Sequence, residues 1–305
     1  LDEPVDRLQP ELADRRVLHR MDGQLDDTSP ANRAITVRDL LTFTFGFGMT
    51  LDMFSAPEPW PVVTAATELH LCTLGPPNPA EQPDPDAWIA ALGSLPLLAQ
   101  PGDRWLYNTG ASVLGVLVAR AAGVPFADVL RTRIFEPLGM RDTGLWATDS
   151  HRLATAYVPS ADGLRVWDPP DGAWSVPPAF GDGAAGLVST VDDLLAFARM
   201  MLRGGHPVLP ADAVAEMTRD RLTPEQRERD GRGILNGRSW GFCQSVVTDG
   251  ARAGAFGWDG GLGTSWLVDP RRDLTVIVLT QRMFETAQAP RVHVDLQEAA
   301  YAALP

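Results

Sequence analysis

The chain has 305 residues, 45% of them hydrophobic and 21% charged, with a formal net charge of −13. That is the composition of a globular protein with enough chain for a sizeable core. The acidity, with no basic stripe to interrupt it, excludes a nucleic acid as partner, and no apolar run approaches the roughly 18 residues that span a bilayer.

All 26 basic residues are arginines. A GC-rich genome produces such a bias, but it also leaves the chain without a catalytic lysine, and a guanidinium stays protonated and cannot act as a base. Cys72 and Cys243 lie too far apart for a metal knuckle and read as buried or idle thiols. The five histidines are scattered, so no metal site is expected, and no cofactor. There is no GxSxG elbow, and the missing lysine removes a P-loop. Gly260-Gly261-Leu262-Gly263 precedes a strand rather than a helix, which argues against a dinucleotide fingerprint.

In chain order, Leu1-Asp2-Glu3-Pro4-Val5 reads as though in mid-domain, and no compartment or oligomeric state is legible. Arg15 to Met21 and Ala34 to Val37 are β-compatible runs around a turn-rich stretch. Thr36 with Asp39 three residues on suits an N-cap for a helix through Leu40, Leu41 and Phe43 that stops at Gly46. Residues 55 to 86, rich in Pro, read as a long surface excursion. Helical patterns follow at Ala87 to Leu92, Ala111 to Ala122 and Pro125 to Phe135, and again from Thr190 with Asp193 as its capping partner. Ser239 to Val247, Ala251 to Phe256, Thr264 to Val268 and Leu274 to Thr280 are β-rich, with a tight turn at Asp269 to Asp273. An amphipathic helix from Val292 to Leu304 ends the pattern. Strands and a helix at one end with helices in the middle argue for an α+β sheet domain carrying a helical insertion. The boundaries expected are 1–26 with 235–305 for the sheet domain, incomplete at its N-terminus, and 27–234 for a mainly helical domain with long loops.

Four segments then carry a resemblance. They are Leu1 to Val5 followed by Thr36-Val37-Arg38-Asp39-Leu40-Leu41; Tyr107-Asn108-Thr109-Gly110 before the helix with Leu114-Gly115; Ile134-Phe135-Glu136-Pro137-Leu138-Gly139-Met140; and Phe256-Gly257-Trp258-Asp259-Gly260-Gly261 before a hairpin. In this order the chain resembles the penicillin-binding-protein and class C β-lactamase superfamily of serine hydrolases, most closely its lactamase-like (family VIII) carboxylesterases. The resemblance implies a β-lactamase/transpeptidase-like fold, an antiparallel sheet flanked by helices with a large helical insertion. It implies as partner a small-molecule ester or β-lactam-like substrate. Members carry a Ser-x-x-Lys pair on a helix just before the segment resembling Leu1 to Val5. The expectation is therefore a nucleophile upstream of residue 1, on a truncated or processed chain that supplies only the C-terminal part of the sheet.

The resemblance also assigns roles. Tyr107 matches the tyrosine that shuttles protons between nucleophile and leaving group; a phenol does this only where a cation stabilises its phenolate, and in the family that cation is the lysine. Asn108 and Thr109 occupy the rest of that motif, where a substrate contact and helix capping are both open. Trp258-Asp259-Gly260 stands where penicillin-processing members have Lys-Thr-Gly. An indole suits an uncharged acyl group better than a carboxylate, although a core tryptophan beside a Gly-rich bulge fits the same residues. Gly260 and Gly261 let the strand backbone approach substrate, with the Gly261 N–H as oxyanion donor. The readings kept open are a carboxylesterase, a β-lactamase or D-Ala-D-Ala peptidase-like hydrolase, and a non-catalytic lactamase-like binding protein.

Overall fold

The computed structural model describes residues 1–304. The chain divides into two units, one of Leu1–Val129 with Pro178–Gly186 and Leu222–Arg232, the other of Leu130–Pro177 and Leu187–Arg221 with the chain from Gly233 onward. These are not the boundaries expected from the sequence. Residues 1–26 belong with the helices because Arg16–Leu18 (β1) pairs antiparallel with Thr28–Pro30 (β2) and not with the large sheet. Bonds from Leu18 N–H to the Leu97 carbonyl (2.9 Å) and from Leu97 N–H to the Arg16 carbonyl (2.8 Å) fix β1. Val17 and Leu18 thereby enter the apolar core around Trp88, Ile89 and Leu92.

In the first unit the expected cap at Thr36 forms: its hydroxyl accepts from Asp39 N–H at 3.2 Å while Asp39 Oδ2 accepts from Thr36 N–H at 2.8 Å. Burial pushes the Asp39 carboxyl up, but the Arg33 guanidinium fork and the Thr36 donors outweigh it and hold the group below the usual carboxylate range. The helix is Val37–Leu41, shorter than expected, because Phe43 turns into the left-handed region (φ +60°). The 55–86 stretch is not a simple surface excursion. It contains the helix Pro61–Glu68, buries Val62 and Ala66, and brings in Leu71, whose carbonyl accepts from Trp88 Nε1 at 2.9 Å. The buried Arg15 reaches the C-terminal end of the helix Pro85–Ser94, donating to the carbonyls of Leu92, Gly93 and Leu95.

The second unit contains a hairpin the sequence did not announce, Ala156–Ser160 (β3) with Gly163–Asp168 (β4). Its sheet has five antiparallel strands in sequence order: Ser239–Trp240 (β5), Ser245–Val246 (β6), Phe256–Gly260 (β7), Thr264–Asp269 (β8) and Leu274–Leu279 (β9). The Val191–Leu202 helix, capped by Thr190 through Asp193 N–H, belongs here because its apolar stripe lies on this sheet. Phe197 meets Trp266 edge-on at 5.6 Å, and Ala198 and Met201 join Phe256 and Val268 in one cluster. The terminal helix Arg291–Ala302 is tied to the sheet by Tyr301 Oη donating to Asp269 Oδ2 at 2.8 Å and Gln297 Nε2 donating to Ser265 Oγ at 3.1 Å. β9 is an edge of the sheet, paired among the described residues only with β8.

Candidate active site

The candidate residues fall three in each unit. Tyr107 lies half-buried at the end of a short extended segment whose backbone is gripped from one side by residues 43–49. Leu106 N–H donates to the Phe43 carbonyl at 2.9 Å, and Tyr107 and Met49 exchange both backbone bonds at 2.9 and 2.8 Å. The approach is close enough that a Cβ on Gly48 (φ +149°) would stand 2.6 Å from the Tyr107 carbonyl oxygen, so only glycine fits there. The phenol ring lies near two aromatic neighbours: Phe43 edge-on at 6.0 Å and Trp105 tilted at 5.9 Å.

Two non-glycine residues around this ring, Phe43 at φ +60° and Asn108 at φ +81°, have left-handed backbones. Each such residue costs on the order of 1–3 kcal/mol and persists only where the surroundings dictate it, which concentrates such residues at functional sites. Asn108 begins the helix Thr109–Ala122 but makes no side-chain cap; its Nδ2 donates instead to the Thr73 carbonyl at 3.2 Å. Thr109 is fully buried, its hydroxyl accepting from Thr73 Oγ1 at 3.0 Å.

Deeper beside this helix the loop Pro178–Gly186 carries a residue that sequence reasoning passed over. The buried Asp182 accepts from Ala184 N–H at 2.8 Å and from Gln82 Nε2 at 3.3 Å. Burial pushes its carboxyl pKa up, and the hydrogen bonds only partly restore it. The loop is pressed so tightly on the helix that a Cβ on Gly183 would lie 2.2 Å from the Ala111 carbonyl oxygen. A separate cavity of about 550 Å³ in this unit, beside Leu18, Trp60, Leu98 and Arg104, includes none of the candidate residues.

In the second unit Trp258 is half-buried on β7, its ring perpendicular to that of Trp240 at 4.9 Å. A cation that the motif did not reveal lies over it: the Arg238 guanidinium carbon is 5.4 Å from the ring centroid. Arg238 Nη2 also donates to Asp259 Oδ2 at 2.6 Å, and Ser265 Oγ donates to Asp259 Oδ1 at 2.6 Å. The charge at Trp258 is therefore a balanced pair. A Cβ on Gly260 would meet Thr264 Oγ1 at 2.6 Å, so a larger residue there would have to turn that hydroxyl aside. Gly261 is exposed with open space around its Cα, and its carbonyl accepts from Phe284 N–H at 2.8 Å. Among the described residues no group of three His, Cys, Asp or Glu side chains could hold a metal ion, and Cys72 and Cys243 form no disulfide.

A family model described as Beta-lactamase matches residues 1–300. The chain belongs to the Beta-lactamase family. Among its relatives, Protein Rv1367c of Mycobacterium tuberculosis is 38% identical over 301 residues, covering 92% of this chain and 71% of the relative. Esterase EstB of Burkholderia gladioli is 30% identical over 327 residues, covering 99% of this chain and 76% of the relative. The solved structure of EstCE1, a hydrolase with promiscuous acyltransferase activity, matches with a TM-score of 0.78 at 25% identity, over 99% of this chain and 78% of that one. Unliganded simvastatin synthase LovD from Aspergillus terreus, at 23% identity and a TM-score of 0.74 over 99% of this chain and 77% of that one, shares the fold. The β-lactamase/transpeptidase-like α+β fold implied by the four segments is thus the fold of the chain. Family and relatives together point to a hydrolase.

Proposed function

We propose that the protein is a serine hydrolase that cleaves small carboxylic esters through an acyl-enzyme. The observation that carries this reading is the seat of Tyr107, a phenol fixed beside Phe43 and Trp105 on backbone strained at Phe43 and Asn108. Similarity to Esterase EstB supports the choice of esters. The 305 residues contain no lysine to hold a phenolate, so the serine and its lysine are assigned to sequence upstream of Leu1.

In the proposed reaction the serine hydroxyl attacks the ester carbonyl carbon as Tyr107, in its phenolate form, takes the proton. The oxyanion so formed accepts a hydrogen bond from Gly261 N–H. Collapse breaks the bond to the alcohol, which leaves with the proton carried by Tyr107, and water releases the acid by the same steps in reverse. Trp258 supplies apolar contact to the acyl chain, while Asn108 and Gly260 are assigned to the substrate's polar flank. Thr109, buried against Thr73, is assigned to holding Asn108 rather than to direct contact.

A serine-reactive fluorophosphonate tests this reading. The full-length protein should take up one label on a serine upstream of Leu1 and hydrolyse 4-nitrophenyl butyrate, and residues 1–305 alone should keep their mass. Stoichiometric labelling inside 1–305 would reveal a different nucleophile. A cephalosporin turned over faster than the ester would favour the β-lactamase or peptidase-like reading, and no label on either form would favour the non-catalytic binding protein.

A further inference from the structure

Between Tyr107 and the segment Leu222–Arg232 the chain runs for more than a hundred residues, yet that segment returns to the first unit and grips the backbone just ahead of the tyrosine. The Asp230 side chain is fully buried, 0% exposed, and accepts four hydrogen bonds. Oδ1 takes Arg104 Nε at 2.5 Å and Arg229 Nε at 2.9 Å. Oδ2 takes Trp105 N–H at 3.0 Å and Arg229 Nη2 at 3.1 Å. Gln226, on the capped helix Pro224–Arg229, donates from Nε2 to the carbonyls of Gly102 (2.9 Å) and Asp103 (3.3 Å). Arg229 Nη2 adds a bond to the Asp103 carbonyl at 3.0 Å. Each residue from 102 to 105 is thus held by the 222–232 segment.

A buried carboxylate with its paired guanidiniums is a poor source of stability, since apolar residues of the same volume often do as well or better. It does, however, fix geometry. The N–H that Asp230 holds is that of Trp105, itself fully buried, and the Trp105 ring lies 5.9 Å from that of Tyr107 at an interplanar angle of 34°. The anchored N–H and the ring contact together leave the phenol little freedom to swing.

We propose that Asp230 is a positioning residue for Tyr107, acting through Trp105 to set the phenol where proton transfer occurs. The inference rests on the reading of Tyr107 as the proton shuttle. The test is a double-mutant cycle in the full-length protein with 4-nitrophenyl butyrate, using Asp230→Ala, Tyr107→Phe and the pair. Asp230→Ala should lower kcat about tenfold to a hundredfold with KM within about twofold, the signature of a misplaced reacting group. Asp230→Asn, whose amide oxygen can still accept from Trp105 N–H, should recover most of that loss. In the Tyr107→Phe background Asp230→Ala should bring no further loss.

The same fold-loss in both backgrounds would overturn the inference and make Asp230 a structural residue. Should Asp230→Ala not fold, Gln226→Ala replaces it: that variant frees the Gly102 and Asp103 carbonyls, and its smaller loss of kcat should likewise vanish in Tyr107→Phe. Undiminished turnover in folded Tyr107→Phe would refute the reading of Tyr107 itself, a result separate from additivity in the cycle, and the positioning role would fall with it.

Discussion

Arg15→Met is expected to destabilise the first unit by about 1 kcal/mol. The last carbonyls of a helix have no intrahelical donors, and at the end of Pro85–Ser94 the buried Arg15 guanidinium serves those of Leu92 and Gly93 together with that of Leu95 just beyond. It also places a positive charge at the negative end of the helix. Removing the donor leaves the carbonyls of Gly93 and Leu95 unserved, each worth roughly 2 kcal/mol or about 4 in all, whereas the Leu92 carbonyl keeps the Leu95 N–H at 3.2 Å. Against this stands the relief of a buried ion. Burial alone lowers the Arg15 pKa to about 10, a penalty on the charged form of roughly 3 kcal/mol that methionine escapes. The methionine chain fills most of the space of the arginine stem, so little cavity energy adds to the balance. Urea unfolding followed by circular dichroism would read the change as a lower midpoint with unchanged slope. A loss below about 0.5 kcal/mol would refute the reasoning, because it would mean that water reaches those carbonyls and that the guanidinium holds nothing the solvent could not.

Asp182→Asn is expected to stabilise the protein, and increasingly so with pH. A carboxyl whose folded pKa is raised by burial gives stability that is fully present below its unfolded pKa and lost as pH rises through the folded value. The Tm advantage of the amide, on the order of 1 kcal/mol or a few degrees, should therefore be larger at about pH 8 than at about pH 4; a constant difference across that window would contradict the burial argument. Trp258→Lys in the full-length protein should lose apolar-ester turnover by about tenfold, from 1 to 3 kcal/mol of lost contact area, and gain affinity for a carboxylate-bearing cephalosporin. Equal changes on both substrates in steady-state kinetics would make Trp258 a structural residue.

Local signals read well where one residue type forces one geometry. Thr36 and Thr190 cap the helices they were expected to cap, and the turn at Asp269 to Asp273 joins β8 and β9 as their alternation requires. Long apolar runs were less faithful. Ser239 to Val247 contains two two-residue strands, since the chain from Gly241 to Gln244 leaves the sheet to bond Met217, with Phe242 N–H donating to its carbonyl at 2.9 Å. Ala251 to Phe256 begins in the short helical turn Gly250–Arg252, and β7 starts only at its last residue. The boundaries of the units were not legible because two short returns, Pro178–Gly186 and Leu222–Arg232, carry no signal of the partner they join. The same holds at the site. Tyr107 and Trp258 could be singled out by motif, but the groups packed on them, Trp105 with Asp230 at the first and Arg238 at the second, lie outside those motifs, and only folding brings Arg238 to the motif residue Asp259.

The two returning segments also set an order of events during synthesis. Trp88 stacks on Phe180 at 4.8 Å, and the backbone ahead of Tyr107 is gripped by Gln226 and Asp230. At about 5–20 residues per second the ribosome needs roughly 6 to 25 s after making Tyr107 before Asp230 exists to hold its neighbour. For roughly the first 4 to 15 s, until Phe180 is made, the first unit has a core lacking one aromatic wall, and for the whole interval its tyrosine segment lacks its anchor. The nascent chain therefore waits with apolar surface exposed, and this interval, rather than the finished protein, is where a chaperone or a protease would find it.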